Sequence, residues 1–127
     1  MIRLDIKPQT PPLPFFDVVA SLDGVNYTLQ FRWNERGMRL LSDGTEEEGS
    51  WFITVLDEPG QEVILGDVKL VVDWPLWRVR ADRTPPGFLI AFDTSGEGID
   101  PGLDDLGVRV VIDYITADEI EAAEAAA

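Results

Sequence analysis

Asp93-Thr94-Ser95-Gly96 closes the apolar run Phe88-Leu89-Ile90-Ala91-Phe92. A carboxylate at the end of an apolar strand, followed by small polar residues and glycine, is one of the few places in this sequence that could house acid–base chemistry. Two such carboxylates brought together across a dimer would share one proton and could activate water against a peptide bond. Asp93, Glu97, Asp100, Asp104 and Asp105 also fall within one glycine-rich loop, and oxygen-rich loops can take a calcium ion. Their spacing follows neither the EF-hand loop nor a glycine–aspartate nonapeptide repeat. Gly96-Glu97-Gly98 is too short for a phosphate cradle and has no lysine beside it. Each string has a plainer reading: a strand running into a turn built by Asp, Ser and Gly, and a solvated acidic loop.

What the chain lacks narrows the chemistry further. Its 127 residues include no histidine and no cysteine. Disulfides and thiolate metal sites are excluded, and the usual general base near neutral pH is missing. An enzyme made from this chain would have to use carboxylates, hydroxyls, lysine or arginine, and a homodimeric aspartic-type protease using Asp93 is the sharpest such reading. Its position argues against it. In aspartic proteases a flap hairpin and an apolar-apolar-glycine segment follow the catalytic aspartate, whereas Thr94 to Ala127 offers mostly loop, one strand and an alanine-rich tail. The sequence therefore assigns no catalytic, cofactor-binding or metal-binding residue, and it implies no cofactor.

The charge bounds the partners. Asp and Glu number 24 against 10 Lys and Arg, a net charge of -14. Phosphate neutralisation drives most nucleic-acid affinity, so stable nucleic-acid binding is not expected. No apolar run approaches the roughly 18 residues of a membrane span, and Met1 to Pro8 lacks the apolar stretch of a signal peptide. The expected place of synthesis is a cytoplasm.

The elements that would position these residues are strands. Phe16, Val18, Ala20 and Leu22 alternate with more polar neighbours, Asp23-Gly24 has the composition of a primed two-residue turn, and Val25, Tyr27, Leu29, Phe31 and Trp33 alternate after it. A two-residue loop pairs 22 with 25, 20 with 27, 18 with 29 and 16 with 31, which puts both apolar sets on one face. Asn34 to Gly37 reads as a turn and Asp43 to Ser50 as a polar loop. Trp51 to Asp57 reads as a strand with Trp51, Ile53 and Val55 on one side, followed by a turn at Glu58-Pro59-Gly60. Val63 to Leu65 and Val68 to Val72 read as short strands around Gly66-Asp67. Leu76 to Arg80 is a short strand or an irregular segment; Phe88 to Asp93 and Val108 to Tyr114 complete the strands. Thr116 with Glu119 has the spacing of a capping box, ahead of an alanine- and glutamate-rich stretch that favours helix. The expected fold is all-β, a small antiparallel barrel or sandwich. Residues 1–14 form an extended Pro-rich N-terminal arm, 15–115 the β domain, and 116–127 a short helix or tail. Both ends are expected to order on a partner.

Trp74, Trp77, Arg78 and Arg80 are the interface candidates, because Trp and Arg are enriched as anchors between subunits. The plain alternative keeps both tryptophans in the core and solvates the arginines.

The order of the pieces carries more than any one of them. Gly24-Val25-Asn26-Tyr27-Thr28-Leu29-Gln30-Phe31-Arg32-Trp33-Asn34 is followed by Trp51 to Asp57, by Asp57-Glu58-Pro59-Gly60 and by Gly66 to Val72. Gly87 to Asp93 comes next, and then Asp105-Leu106-Gly107 before the last strand. In this order residues 15–115 resemble the baseplate plug proteins of contractile phage tails, the kind found in cyanophages. Met38 to Ser50 is longer than in that family, and Arg78 to Pro86 and the alanine-rich tail have no counterpart. The resemblance implies a non-enzymatic virion protein at the centre of the baseplate, between tail tube and hub or spike, acting in assembly and sealing. It implies as partners tube, hub/spike and possibly wedge proteins, with the plug present as a multi-copy ring. A generic β protein-binding module is the remaining alternative.

Overall fold

A computed structural model describes residues 1–6, 13–41, 43–57, 62–77 and 85–126, with the side chains of residues 39 and 40 excepted. Seven strands and one helix are described: β1 (Ile2–Arg3), β2 (Phe15–Leu22), β3 (Val25–Leu40), β4 (Glu46–Asp57), β5 (Val63–Lys69), β6 (Phe88–Asp93), β7 (Val110–Ile115) and α1 (Ala117–Ala126). They make two antiparallel sheets, β2-β3-β4-β5 and β1-β7-β6. The chain is the expected all-β domain with a short C-terminal helix. Among the described residues no helix is long and apolar enough to cross a membrane.

The β2–β3 hairpin has the register that its alternation dictates: Leu22 faces Val25, Ala20 faces Tyr27, Val18 faces Leu29 and Phe16 faces Phe31. Asp23 and Gly24 both take positive φ, 52° and 81°, as a primed turn requires. The inner faces of the two sheets share one core, in which Leu22, Leu29, Phe31, Trp51, Val55, Ala91, Ile112 and Tyr114 are buried. Phe16 stacks on Phe31 with ring centroids 4.7 Å apart, and Trp51 meets both rings edge-on.

On one flank the segment from Leu70 to Leu76 ties the sheets together. Leu70 N–H donates to Trp51 O of β4 at 2.9 Å, while Asp73 N–H and Leu76 N–H donate to Ala91 O and Leu89 O of β6, each at 2.8 Å. This segment is bridged rather than a regular strand, and β5 ends at Lys69.

Three expectations are corrected. Asn34 to Gly37 does not end a strand. Arg36 N–H donates to Asn34 Oδ1 at 2.9 Å, a local turn-like bond, but the chain re-pairs at once: Asn34 faces Ser50 and Met38 faces Glu48. The extra residues on β3 form a bulge. Glu46 to Ser50 is therefore strand, not loop, and the β3–β4 ribbon runs beyond the ends of β2 and β5. Gly49, at φ +103°, lets the chain pass under the Trp33 indole, where an added Cβ would lie 2.2 Å from Trp33 Cζ2. Finally, Met1–Ile6 packs against the domain. β1 pairs with β7, Leu4 and Ile6 are buried, and Arg3 makes a two-pronged bond to the buried Asp113 at 2.9 and 3.3 Å. The rest of the proline-rich stretch, residues 7–12, lies outside the described residues, as does the expected turn at residues 58–60.

The capping box forms: Glu119 N–H donates to Thr116 Oγ1 at 3.3 Å, and Glu119 Oε1 accepts from Thr116 N–H at 3.2 Å. The helix buries no residue.

Candidate functional site

Asp93 ends β6, where the acidic loop begins. Its side chain is 1% exposed and both carboxylate oxygens are fully engaged. Oδ1 accepts from Ser95 N–H at 3.0 Å and Ser95 Oγ–H at 2.7 Å; Oδ2 accepts from Ile99 N–H at 2.9 Å and meets Arg109 Nη1 at 2.8 Å. Burial alone would raise the Asp93 pKa. The bonds from Ile99, Ser95 and Arg109 outweigh it and hold the group down to about 2. A carboxylate locked ionised by four protein donors has no lone pair for water and no proton to share with a twin. The geometry supports the turn-building reading of Asp-Thr-Ser-Gly over the acid–base one.

Arg109 is the residue that holds the loop together, and sequence reasoning passed over it. Its guanidinium reaches Asp93, donates to Ile99 O at 2.9 Å and Asp100 O at 3.0 Å, and pairs with Asp105 Oδ2 at 3.0 Å. Asp105 Oδ2 also accepts from Gly102 N–H, and the buried Asp100 takes Val72 N–H at 3.0 Å. The cationic centre of this acidic loop is thus a guanidinium, and Glu97 and Asp104 point to solvent. Among the described residues no group of three or more carboxylates converges on a metal position. The available signal was the polar Arg109 between Val108 and Val110, facing a loop rich in aspartate.

The tryptophan segment separates into two environments. Trp77 is 4% exposed, and its Nε1–H donates to Gly87 O at 2.9 Å. Gly87 N–H in turn donates to the buried Tyr114 hydroxyl at 2.8 Å, which donates to Asp23 at the hairpin tip. Trp77 is a core residue of this chain, not a surface anchor. Trp74 is 54% exposed and edges a groove of about 310 Å³ with Val68, Lys69, Val71, Pro75 and Leu76. Arg78 and Arg80 lie outside the described residues.

The family model that matches this chain is described as cyanophage baseplate Pam3 plug gp18, and it covers residues 1–118. No curated protein matches the chain.

Proposed function

The chain belongs to the cyanophage baseplate plug family, a structural component of the virion tail baseplate, and from that premise we propose that it is the plug at the centre of the baseplate, between tail tube and hub or spike. Its work there is assembly and sealing, without a reaction of its own. The observation that carries this reading is the family match over residues 1–118, which takes in both sheets and the start of α1. The engagement of Asp93 by four donors supports it from the other side, because the sharpest catalytic alternative needs that carboxylate free. The partners are other tail and baseplate proteins, and the plug is a multi-copy ring that joins the virion after synthesis in the host cytoplasm. Trp74, and Arg78 and Arg80 beyond it, are candidate anchors toward those neighbours.

Electron microscopy of particles from a phage lacking this gene, beside a complemented control, tests the reading. Absent tails, or tubes and baseplates that lie unjoined, are expected. Intact infectious contractile particles would overturn it.

A further inference from the structure

The cationic side chains among the described residues are Arg3, Arg32, Arg36, Lys69 and Arg109. Arg3 is held by Asp113, Arg32 by Asp17, and Arg109 by Asp93 and Asp105. Arg36 and Lys69 have no carboxylate partner among the described residues, although the chain carries 24 carboxylates against 10 cations. Both are exposed, and both stand on the outer face of the β2-β3-β4-β5 sheet.

The register fixes that place. Arg32 faces Phe52 and Phe52 faces Lys69, a row across β3, β4 and β5. The neighbours Phe31, Ile53 and Val68 pack in the core, so this row points outward. Beyond Arg32 the β3 bulge folds close to Phe52: a Cβ on Gly37 would lie 2.9 Å from Ser50 Cβ and 3.1 Å from Phe52 Cε2. A groove of about 570 Å³ lies here, lined by Arg32, Asn34, Glu35, Arg36, Phe52 and Asp67. Of its carboxylates, Asp67 accepts from Thr54 Oγ1–H at 3.3 Å, and Glu35 precedes Arg36 on the bulge. Neither pairs with Arg36 or Lys69.

The complement is α1. Asp118, Glu121 and Glu124 recur at every third residue and share a face with Ala122 and Ala125, all of them exposed. The helix holds no cation, and Glu124 sits toward its C-terminal end, where the helix dipole disfavours an anion. Like charges at that spacing repel, so the face gains from cations supplied outside it. The helix is nonetheless fixed at its start by the capping box and by Asp23, which accepts from Ala117 N–H at 3.2 Å. Asp23 sets α1 at the Val25 end of β3. Arg36 lies about 36 Å along that strand, at about 3.3 Å per residue. The helix has 10 residues and reaches about 15 Å, so it cannot enter its own groove.

We infer that α1 of one copy docks in the Arg36–Lys69 groove of the next, with Glu121 and Glu124 on the two cations and Ala122 and Ala125 against Phe52. The two copies use different surfaces, so the contact repeats head to tail and closes as a ring or runs on as a filament. Each copy brings the same net charge of -14; physiological salt screens that repulsion beyond about 8 Å and leaves the direct contacts. Most of the docking helix lies beyond the family match, which ends at Asp118. The inference rests on the plug reading only for the ring that the contact closes.

The test treats a mixture of isotope-labelled and unlabelled full chains with carbodiimide, which joins an amine to a carboxylate already in contact. A link from Lys69 to Glu121 or Glu124 between copies is expected by mass spectrometry. Lys69→Arg should remove the link and keep the association. Sedimentation at physiological salt then reads the two surfaces. A groove variant (Arg36→Glu with Lys69→Glu) and a helix variant (Glu121→Lys with Glu124→Lys) should each self-associate about tenfold or more weakly than wild type. Mixed one to one, they should regain wild-type association, because the unchanged helix meets the unchanged groove and the two reversed surfaces meet each other. A misfolded variant would not be rescued in this way, and the cross-link is read on the wild-type chain. Wild type that stays monomeric at about 1 mM, links that join Lys69 to Glu46 or Glu48 of the next copy instead, or variants that stay apart when mixed overturn the inference. Monomers beside tail-less deletion particles refute the docking and leave the plug; the cross-link beside intact deletion particles does the reverse.

Discussion

Asp93→Asn isolates the most heavily bonded carboxylate of the acidic loop. The carboxylate offers two acceptor sides, one taken by Ser95 and the other by Ile99 and Arg109. An asparagine offers one, so whichever way the amide turns, a donor pair faces an NH2 group. Arg109 also keeps only Asp105 as a charged partner. The fall of the Asp93 pKa from 3.8 to about 2 corresponds to about 2 kcal/mol of folding stability at neutral pH, at about 1.4 kcal/mol for each pH unit. For a chain of this length that is a loss of about 6–10 °C in Tm. The folded-state pKa lies below the unfolded one, so the contribution is complete above about pH 4 and disappears as pH falls toward 2. Urea unfolding of wild type and Asp93→Asn, compared at each pH, cancels the other carboxylates. The gap should be about 2 kcal/mol at pH 7 and close below pH 4. A gap under about 0.5 kcal/mol at pH 7, the scatter of ordinary surface substitutions, would refute the reasoning. A gap that persists unchanged into acid would do the same. A variant as stable as wild type that still fails in the phage by losing a cleavage would return Asp93 to the catalytic reading.

Gly87→Ala would place a Cβ 2.0 Å from Ile115 O and 2.6 Å from the Tyr114 ring, so unfolding experiments should show a loss of about 3 kcal/mol or more. Tyr114→Phe leaves the buried Gly87 N–H without its acceptor and Asp23 with only the Ala117 N–H on that oxygen; denaturant titration should register about 1–3 kcal/mol. Burial and the Asp23 carboxylate push the Tyr114 hydroxyl above its ordinary range, so wild-type stability falls as pH rises past about 10, and Tyr114→Phe should flatten that limb. Trp74→Ala, at a side chain 54% exposed, should change Tm by only a few degrees while reducing incorporation into tails by about tenfold or more, the scale of an anchor residue; unchanged incorporation would remove Trp74 from the interface.

Legibility followed the range of the interaction. The β2–β3 hairpin could be read because period, turn chemistry and register are local and agree, and Trp51, Ile53 and Val55 could be assigned to the core because alternation survives wherever one face is buried. The ribbon from Asn34 to Ser50 was missed for the converse reason. Much of it is solvated, so Glu46, Glu47 and Glu48 are exposed and no apolar alternation marks it; its determinants are Gly49 under Trp33 and the Ser50 hydroxyl on Met38 O at 2.9 Å, contacts between strands. The acidic loop looked like a place for a cation because its own residues are all acidic or neutral, and Arg109, which pairs with Asp93 and Asp105, comes from the approach to β7. The first residues were the nearest miss. Ile2, Leu4 and Ile6 alternate with Arg3 and Asp5, a period-2 signal overshadowed by the prolines that follow. Even a correct strand there would not have revealed its partner, β7. Which strands become edges depends on how the two sheets order themselves, and that order is set by pairings such as Arg3 with Asp113 across nearly the whole chain.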